Sequence, residues 1–248
     1  MQLGLQCPHQ PQRQFLELLG ILTDTTMFQG LTAQAWWESA RFPWMAMLEA
    51  NADVIRGELS NLAQLTDVGN RSAHDVALVT RGGWSEHVLL SASDSTVNVV
   101  HRTNRCPRTT ELLLRIPALV ACAACGVGEA IFSVLAPKTH LRPHCASSNL
   151  RLTCHLPLIV PPGSCTLRVG SETRAWTAGK SLVFDDSFEH EARLPAAWRL
   201  SSSRCFVRSL SIACCSQAFN DADEPRVVLL LNFFHPDLPQ TEWQPLRV

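Results

Sequence analysis

Asn149-Leu-Arg-Leu-Thr-Cys-His-Leu-Pro-Leu-Ile-Val160, closed by Pro161-Pro-Gly-Ser164 and followed by Cys165-Thr-Leu-Arg-Val169, reads as a strand, a turn and a second strand. Short apolar runs stopped by a Pro-Pro-Gly signal favour β structure over helix. The same texture extends in both directions. Residues 130–135, 181–184 and 227–234 are further apolar runs, and Thr177-Ala178-Gly179-Lys180 marks another turn. Regular spacing of this kind predicts an antiparallel sandwich or small barrel. The chain contains no GxGxxG, no P-loop and no internal repeat.

Upstream the pattern changes. Residues 11–22 carry Phe15, Leu16, Leu18, Leu19 and Leu22 at helical spacing, and residues 45–62 repeat it with acids and Arg56 on the opposite face. Trp36-Trp37 and Phe42-Pro43-Trp44 lie between them as an aromatic cluster that packs a lead-in onto a main domain. The expected organisation is a helical and loop-rich lead-in over residues 1–110 and a β domain over 111–248. Within the latter, residues 192–217 hold four arginines, six serines and three cysteines with no acid, and read as an insertion.

At 248 residues the chain can bury a full core. A net charge of -1 with 17% charged residues lacks the basic excess of a nucleic-acid binder, so nucleic acid is excluded as a partner. The N-terminus shows no basic segment followed by an apolar run, so no signal peptide is expected. Residues 118–136 approach membrane-spanning length, but Glu129, Gly126, Gly128 and Ser133 make a buried strand with a turn the expectation. Ten cysteines leave the redox compartment open, and Cys122-Ala-Ala-Cys125, with apolar neighbours and no second ligand pair, reads as core thiols rather than a zinc site. Asn70-Arg71-Ser72 is a glycosylation sequon that matters only if the chain reaches the lumen.

The chemistry-bearing residues are two histidines, His144 in Arg-Pro-His-Cys-Ala and His190 in Phe-Asp-Asp-Ser-Phe-Glu-His-Glu, and Arg226, which opens a very apolar strand. Non-haem iron sites use two histidines and usually a carboxylate, leaving positions for co-substrate and oxygen. The common carboxylate position, two residues after the first histidine, is Ala146 here. Spacing alone favours two satisfied structural histidines, and a ligand reading needs convergent partners. Asp185-Asp186 reads as part of the turn before His190 rather than a catalytic pair, and His140 and His235 read as structural.

Residues 132–144, Asn149-Leu-Arg151-Leu-Thr-Cys-His155, the octapeptide ending at Glu191 and the closing Phe-His235-Pro-Asp-Leu resemble the aspartyl/asparaginyl β-hydroxylase family, with greatest likeness to its aspartate β-hydroxylase domain-containing members. The resemblance implies a mainly β fold with an α-helical lead-in, the double-stranded β-helix of jelly-roll and cupin-like barrels. It also implies Fe(II) held by His144 and His190 without a carboxylate, and 2-oxoglutarate as co-substrate. Ser133 and Arg226 would bind its outer carboxylate, with His155 on the other. A guanidinium suits a bidentate carboxylate clamp.

The implied reaction couples decarboxylation of 2-oxoglutarate, with molecular oxygen, to hydroxylation of the β-carbon of Asp or Asn in a protein substrate, including small disulfide-rich domains. The implied location is the membrane of the endoplasmic reticulum, although the chain carries no convincing transmembrane segment.

Departures from the family pattern support a second expectation, an impaired or inactive relative acting as a binding module. Thr153 replaces a second co-substrate arginine, Ala146 replaces a glycine, and Pro157 another. Arg226 follows His190 only after residues 192–217, where the family has a much shorter connection. That segment ends in Cys-Cys-Ser-Gln, as a pyrimidine-rich splice acceptor ending in CAG would read. The hypothesis of a retained intron, and hence a splice variant, fails if the genome has no intron boundary at its two ends.

Overall fold

The computed structural model describes residues 27–60, 62, 78–93, 96–101, 105–141, 143–162, 166–191, 218–220 and 223–243. Thirteen strands are present among them: β1 (Trp36–Trp37), β2 (Val79–Arg81), β3 (Trp84–Ser93), β4 (Thr96–His101), β5 (Glu129–Leu135), β6 (Thr139–Leu141), β7 (Arg151–Ile159), β8 (Thr166–Val169), β9 (Glu172–Ala175), β10 (Leu182–Phe184), β11 (His190–Glu191), β12 (Ala218–Asn220) and β13 (Arg226–Phe234). The main sheet has the order β1-β10-β7-β13-β5-β3-β4, and every pairing in it is antiparallel. Two smaller sheets, β11-β8-β9 and β12-β6-β2, complete the architecture.

Strands β7 and β13 are buried along almost their whole length, which accounts for their nearly continuous apolar sequence. Alternation assigns their two faces. Leu152, Cys154, Leu156 and Leu158 of β7, with Val227, Leu229, Leu231 and Phe233 of β13, belong to the largest apolar cluster. The same cluster holds residues of four helices, α1 (Trp44–Ala50), α2 (Ala52–Ser60), α3 (Pro107–Leu113) and α4 (Pro117–Ala124). On the opposite face a second cluster joins Trp36, Leu135 and Phe184 of the main sheet to Leu141, Leu167 and Val169 of both small sheets, with Trp176 and Phe188. A long antiparallel sheet closed over by two short ones, with helices on its outer face, is the double-stranded β-helix that was expected.

Pro157 sits inside this arrangement at a visible cost. It has no N–H to give to β13, and the β13–β7 register shifts at Val227/Val228, beside it.

The aromatic cluster does pack the lead-in onto the sheet. Trp37 meets Phe42 and His235, and Phe42 and Trp44 each stand edge-on to Phe233. The 45–62 segment, expected to repeat one helical pattern, forms two helices broken at Asn51, whose amide donates to the Met47 carbonyl at 2.8 Å.

Three elements differ from the sequence reading. β3 and β4 lie within residues 1–110, expected to be helical and loop-rich, yet both belong to the main sheet. Residues 118–136, expected as a buried strand with a turn, are helix α4 as far as Ala124, a turn and strand β5, with Pro117 at the first helical position, where a missing N–H costs nothing. The 11–22 pattern, the sequon and residues 192–217 lie outside the described residues. Among the described residues no helix is long and apolar enough to cross a membrane.

Candidate active site

The face of the main sheet turned away from the helices carries the polar residues. Alternation along β5 puts Ser133 between Phe132 and Val134, which pack with the helices. Ser133 is opposite Val228 in β13, so Arg226, two residues earlier, shares its face. The Arg226 guanidinium, almost fully buried, donates through Nη2 to Ser133 Oγ at 3.4 Å. The indole of Trp84 donates to the same oxygen at 3.0 Å. Arg226 Cζ also lies 4.9 Å from the centroid of the Trp176 ring, a cation–π contact that helps hold the guanidinium in place.

His155, opposite Leu230 of β13, points to the same interior. Trp176 Nε1 donates to its Nδ1 at 3.3 Å. Its pKa lies well below the usual imidazole value, chiefly because burial penalises the charged ring, and Arg226 and His190 push it the same way.

His144 and His190 face each other from a single antiparallel bridge, not from a continuous ladder. His190 N donates to the His144 carbonyl at 3.1 Å, and the ring centroids are 4.3 Å apart. His190 Nδ1 lies 2.9 Å from the Phe188 carbonyl, so it carries the proton and leaves Nε2 as a lone pair. Burial pushes the His190 imidazole down to about 4 against the upward pull of that carbonyl, while Arg168 and Arg151 depress it further. A neutral ring with one nitrogen left as a lone pair is what a metal requires.

The segment before His190 is held by its acids, as the turn reading expects. Asp185 Oδ1 accepts from Ser187 N at 2.9 Å, and Asp186 pairs with Arg151 at 3.2 Å. Ala146 N donates to the Asp186 carbonyl at 2.7 Å, tying the two histidine segments together. Beside them Arg168 pairs with Glu189 at 2.8 Å.

All five expected site residues are brought into one interior. Arg226 contacts Trp176, Trp176 bonds to His155, His155 stands 5.0 Å edge-on to Phe184, and Phe184 lies 5.5 Å from His190. Among the described residues no His, Cys, Asp or Glu joins the histidine pair as a third ligand. Thr153, where the resemblance implies a second arginine, donates to Asn232 Oδ1 at 2.8 Å. Trp84 and Trp176 were not singled out from sequence, where an isolated tryptophan carries no motif.

His235 is structural, bonded to the Thr32 carbonyl and to Asp237 N. The side chain of His140 lies outside the described residues. Cys122 is a core thiol pushed up to about 12, mainly by burial, and Cys125 is half-buried at the helix end.

A double-stranded β-helix with two facing imidazoles at its interior and a buried arginine–serine pair behind them has the build of a hydroxylase-type barrel. The aspartyl/asparaginyl beta-hydroxylase family model matches residues 49–200, and the chain belongs to that family. The match ends inside the 192–217 segment and stops short of Arg226, whose place in the site rests on its contacts. Human aspartyl/asparaginyl beta-hydroxylase is 31% identical over 84% of this chain and 24% of its own length. Mouse aspartate beta-hydroxylase domain-containing protein 1 is 32% identical over 57% of this chain and 32% of its own length. The chain thus spans about a quarter to a third of these relatives. Among solved structures, a Pseudomonas putida prolyl-4-hydroxylase aligns over 82% of this chain and 94% of its own with a TM-score of 0.44 at 13% identity.

Proposed function

We propose that this chain is an Fe(II)- and 2-oxoglutarate-dependent dioxygenase that hydroxylates the β-carbon of Asp or Asn side chains in protein substrates. The observation that carries the reading is the convergence of His144, His190, His155, Ser133 and Arg226 on one interior although Arg226 is remote in sequence.

The donor set fits iron. Two imidazoles, one with its Nδ1 proton fixed by a carbonyl and its pKa lowered by burial, supply nitrogen ligands. When bound, the metal, with 2-oxoglutarate and oxygen, supplies the oxidising chemistry that couples decarboxylation to hydroxylation. The protein's share is binding and orientation. Arg226 offers paired N–H donors to one carboxylate and Ser133 a hydroxyl, while Trp176 keeps the guanidinium in place. His155 serves the second carboxylate. The rings of Phe184 and Trp176 keep this region apolar, which strengthens each of these charge-assisted bonds.

One observation favours a second reading, a catalytically impaired relative that acts as a binding module. Thr153 and Asn232 satisfy each other where the family has its second arginine. Purified chain supplied with Fe(II), 2-oxoglutarate and Asp- or Asn-containing disulfide-rich domains separates the two. Iron-dependent succinate formation, lost in His190→Ala, with gain of one oxygen by the substrate, supports the enzyme. Absence of Fe(II) and 2-oxoglutarate binding by calorimetry overturns it.

A further inference from the structure

The donor and acceptor bookkeeping around the clamp carries a further step. It rests on the proposed co-substrate site. An indole N–H can only donate. Trp176 Nε1 lies 3.3 Å from His155 Nδ1, so that nitrogen must present a lone pair; a proton there would set two N–H groups against each other in a buried site. The neutral ring therefore carries its proton on Nε2.

The same reasoning applies to Ser133. Its oxygen accepts from Trp84 Nε1 at 3.0 Å and from Arg226 Nη2 at 3.4 Å, which uses both acceptor positions of a hydroxyl. What remains is the O–H, a donor. A carboxylate accepts only. With the two indoles in place, His155 Nε2–H, the Ser133 hydroxyl and the Arg226 guanidinium are all donors, and none turns a lone pair toward an anion.

We propose that Trp176 and Trp84 are positioning residues of the co-substrate site: their indole N–H groups commit His155 and Ser133 to donating, so that the interior is preset for a dicarboxylate. Neither tryptophan has to touch the ligand. Trp176 has a second part in this, since its ring face holds the Arg226 guanidinium.

The test begins without metal or co-substrate. In the full chain labelled with 15N-histidine, long-range proton–nitrogen NMR reports the tautomer of each neutral imidazole, and His155 is assigned by its loss in His155→Gln. The Nε2–H form is expected in the wild type, and a mixed or Nδ1–H signal in Trp176→Phe. An Nδ1–H signal in the wild type overturns the positioning, and this measurement needs no variant at Trp176 to fold. The second arm is kinetic. Trp176→Phe and Trp84→Phe should each raise KM for 2-oxoglutarate about five- to tenfold, the worth of one hydrogen bond, with kcat within about twofold. An unchanged KM in both variants overturns the proposal. A wild-type chain that takes up no 2-oxoglutarate overturns the functional reading and the co-substrate half of the proposal, while the tautomer result still decides what Trp176 does to His155.

Discussion

The main chain of His190 donates to the carbonyl of His144 at 3.1 Å, and the two imidazoles stand with centroids 4.3 Å apart. Backbone bonding sets that separation, and the Ala146–Asp186 bond reinforces it from the next residues along. Main-chain bonds thus hold the two segments side by side, a duty separate from that of serving a ligand.

This separation of duties makes a prediction about metal binding. His144→Ala or His190→Ala should weaken Fe(II) or Mn(II) binding by more than about 100-fold, beyond the loss typical of outer-sphere changes. The melting temperature without metal should shift by only a few degrees. Anaerobic equilibrium dialysis and calorimetry measure the two quantities. A variant that binds metal normally removes that histidine from the site.

Arg226 makes a second prediction. Its fork geometry and its stacking on Trp176 are both lost in Arg226→Lys, which keeps the charge. Affinity for 2-oxoglutarate should fall about tenfold in the lysine variant and about 100-fold or more in Arg226→Ala, as charge-assisted and bidentate bonds are lost in turn. Titrating succinate formation against 2-oxoglutarate concentration measures both. A lysine variant with wild-type affinity would mean that the fork geometry plays no part.

Much of the barrel was legible because its strands are short, apolar and separated by turn residues. The runs at 130–135, 149–160, 165–169, 181–184 and 227–234 became β5, β7, β8, β10 and β13. β3 escaped notice for a physical reason. The β3–β5 register shifts between Val88 and Leu90, so the adjacent Leu89 and Leu90 are both buried and the alternation that announces a strand is lost. Helix α4, Pro-Ala-Leu-Val-Ala-Cys-Ala-Ala, is apolar all round, and periodicity cannot tell such a helix from a buried strand. In the site, the histidines and Arg226 stand in recognisable motifs. The roles of Trp84 and Trp176 come from hydrogen bonds to residues 49 and 21 positions away, which no local pattern encodes.

Packing makes a third prediction. Leu229 is fully buried at the centre of β13, between β5 and β7, in the cluster shared with the helices. Leu229→Ala should cost about 2–5 kcal/mol, from lost burial and the cavity left behind. Urea unfolding followed by circular dichroism should show a lower midpoint at unchanged slope. A loss under about 1 kcal/mol would mean that the central strands do not share one core.

Two groups in the same short segment should oppose each other as pH changes. Burial pushes the Asp185 carboxyl up to about 7 from its ordinary 3.8, against the bonds from Ser187, and pushes His190 down to about 4 from 6.5. Between pH 4 and 6.5 the unfolded chain holds more protons at His190 than the folded one, so stability rises with pH there. His155 and His235, also lowered, act in the same direction. Between pH 3.8 and 7 the folded chain holds more protons at Asp185, so its contribution falls as pH rises. The wild type should therefore gain stability across the shared window by less than its histidines alone would give. Asp185→Asn removes one of the opposing slopes while its side-chain oxygen can still accept from Ser187 N. Its melting temperature should climb more steeply from pH 4 to 6.5 and exceed the wild type's at pH 8, where the native carboxyl must ionise in a buried site. Scanning calorimetry of the metal-free proteins over this range provides the measurement, and parallel curves for the two would remove Asp185 from the balance.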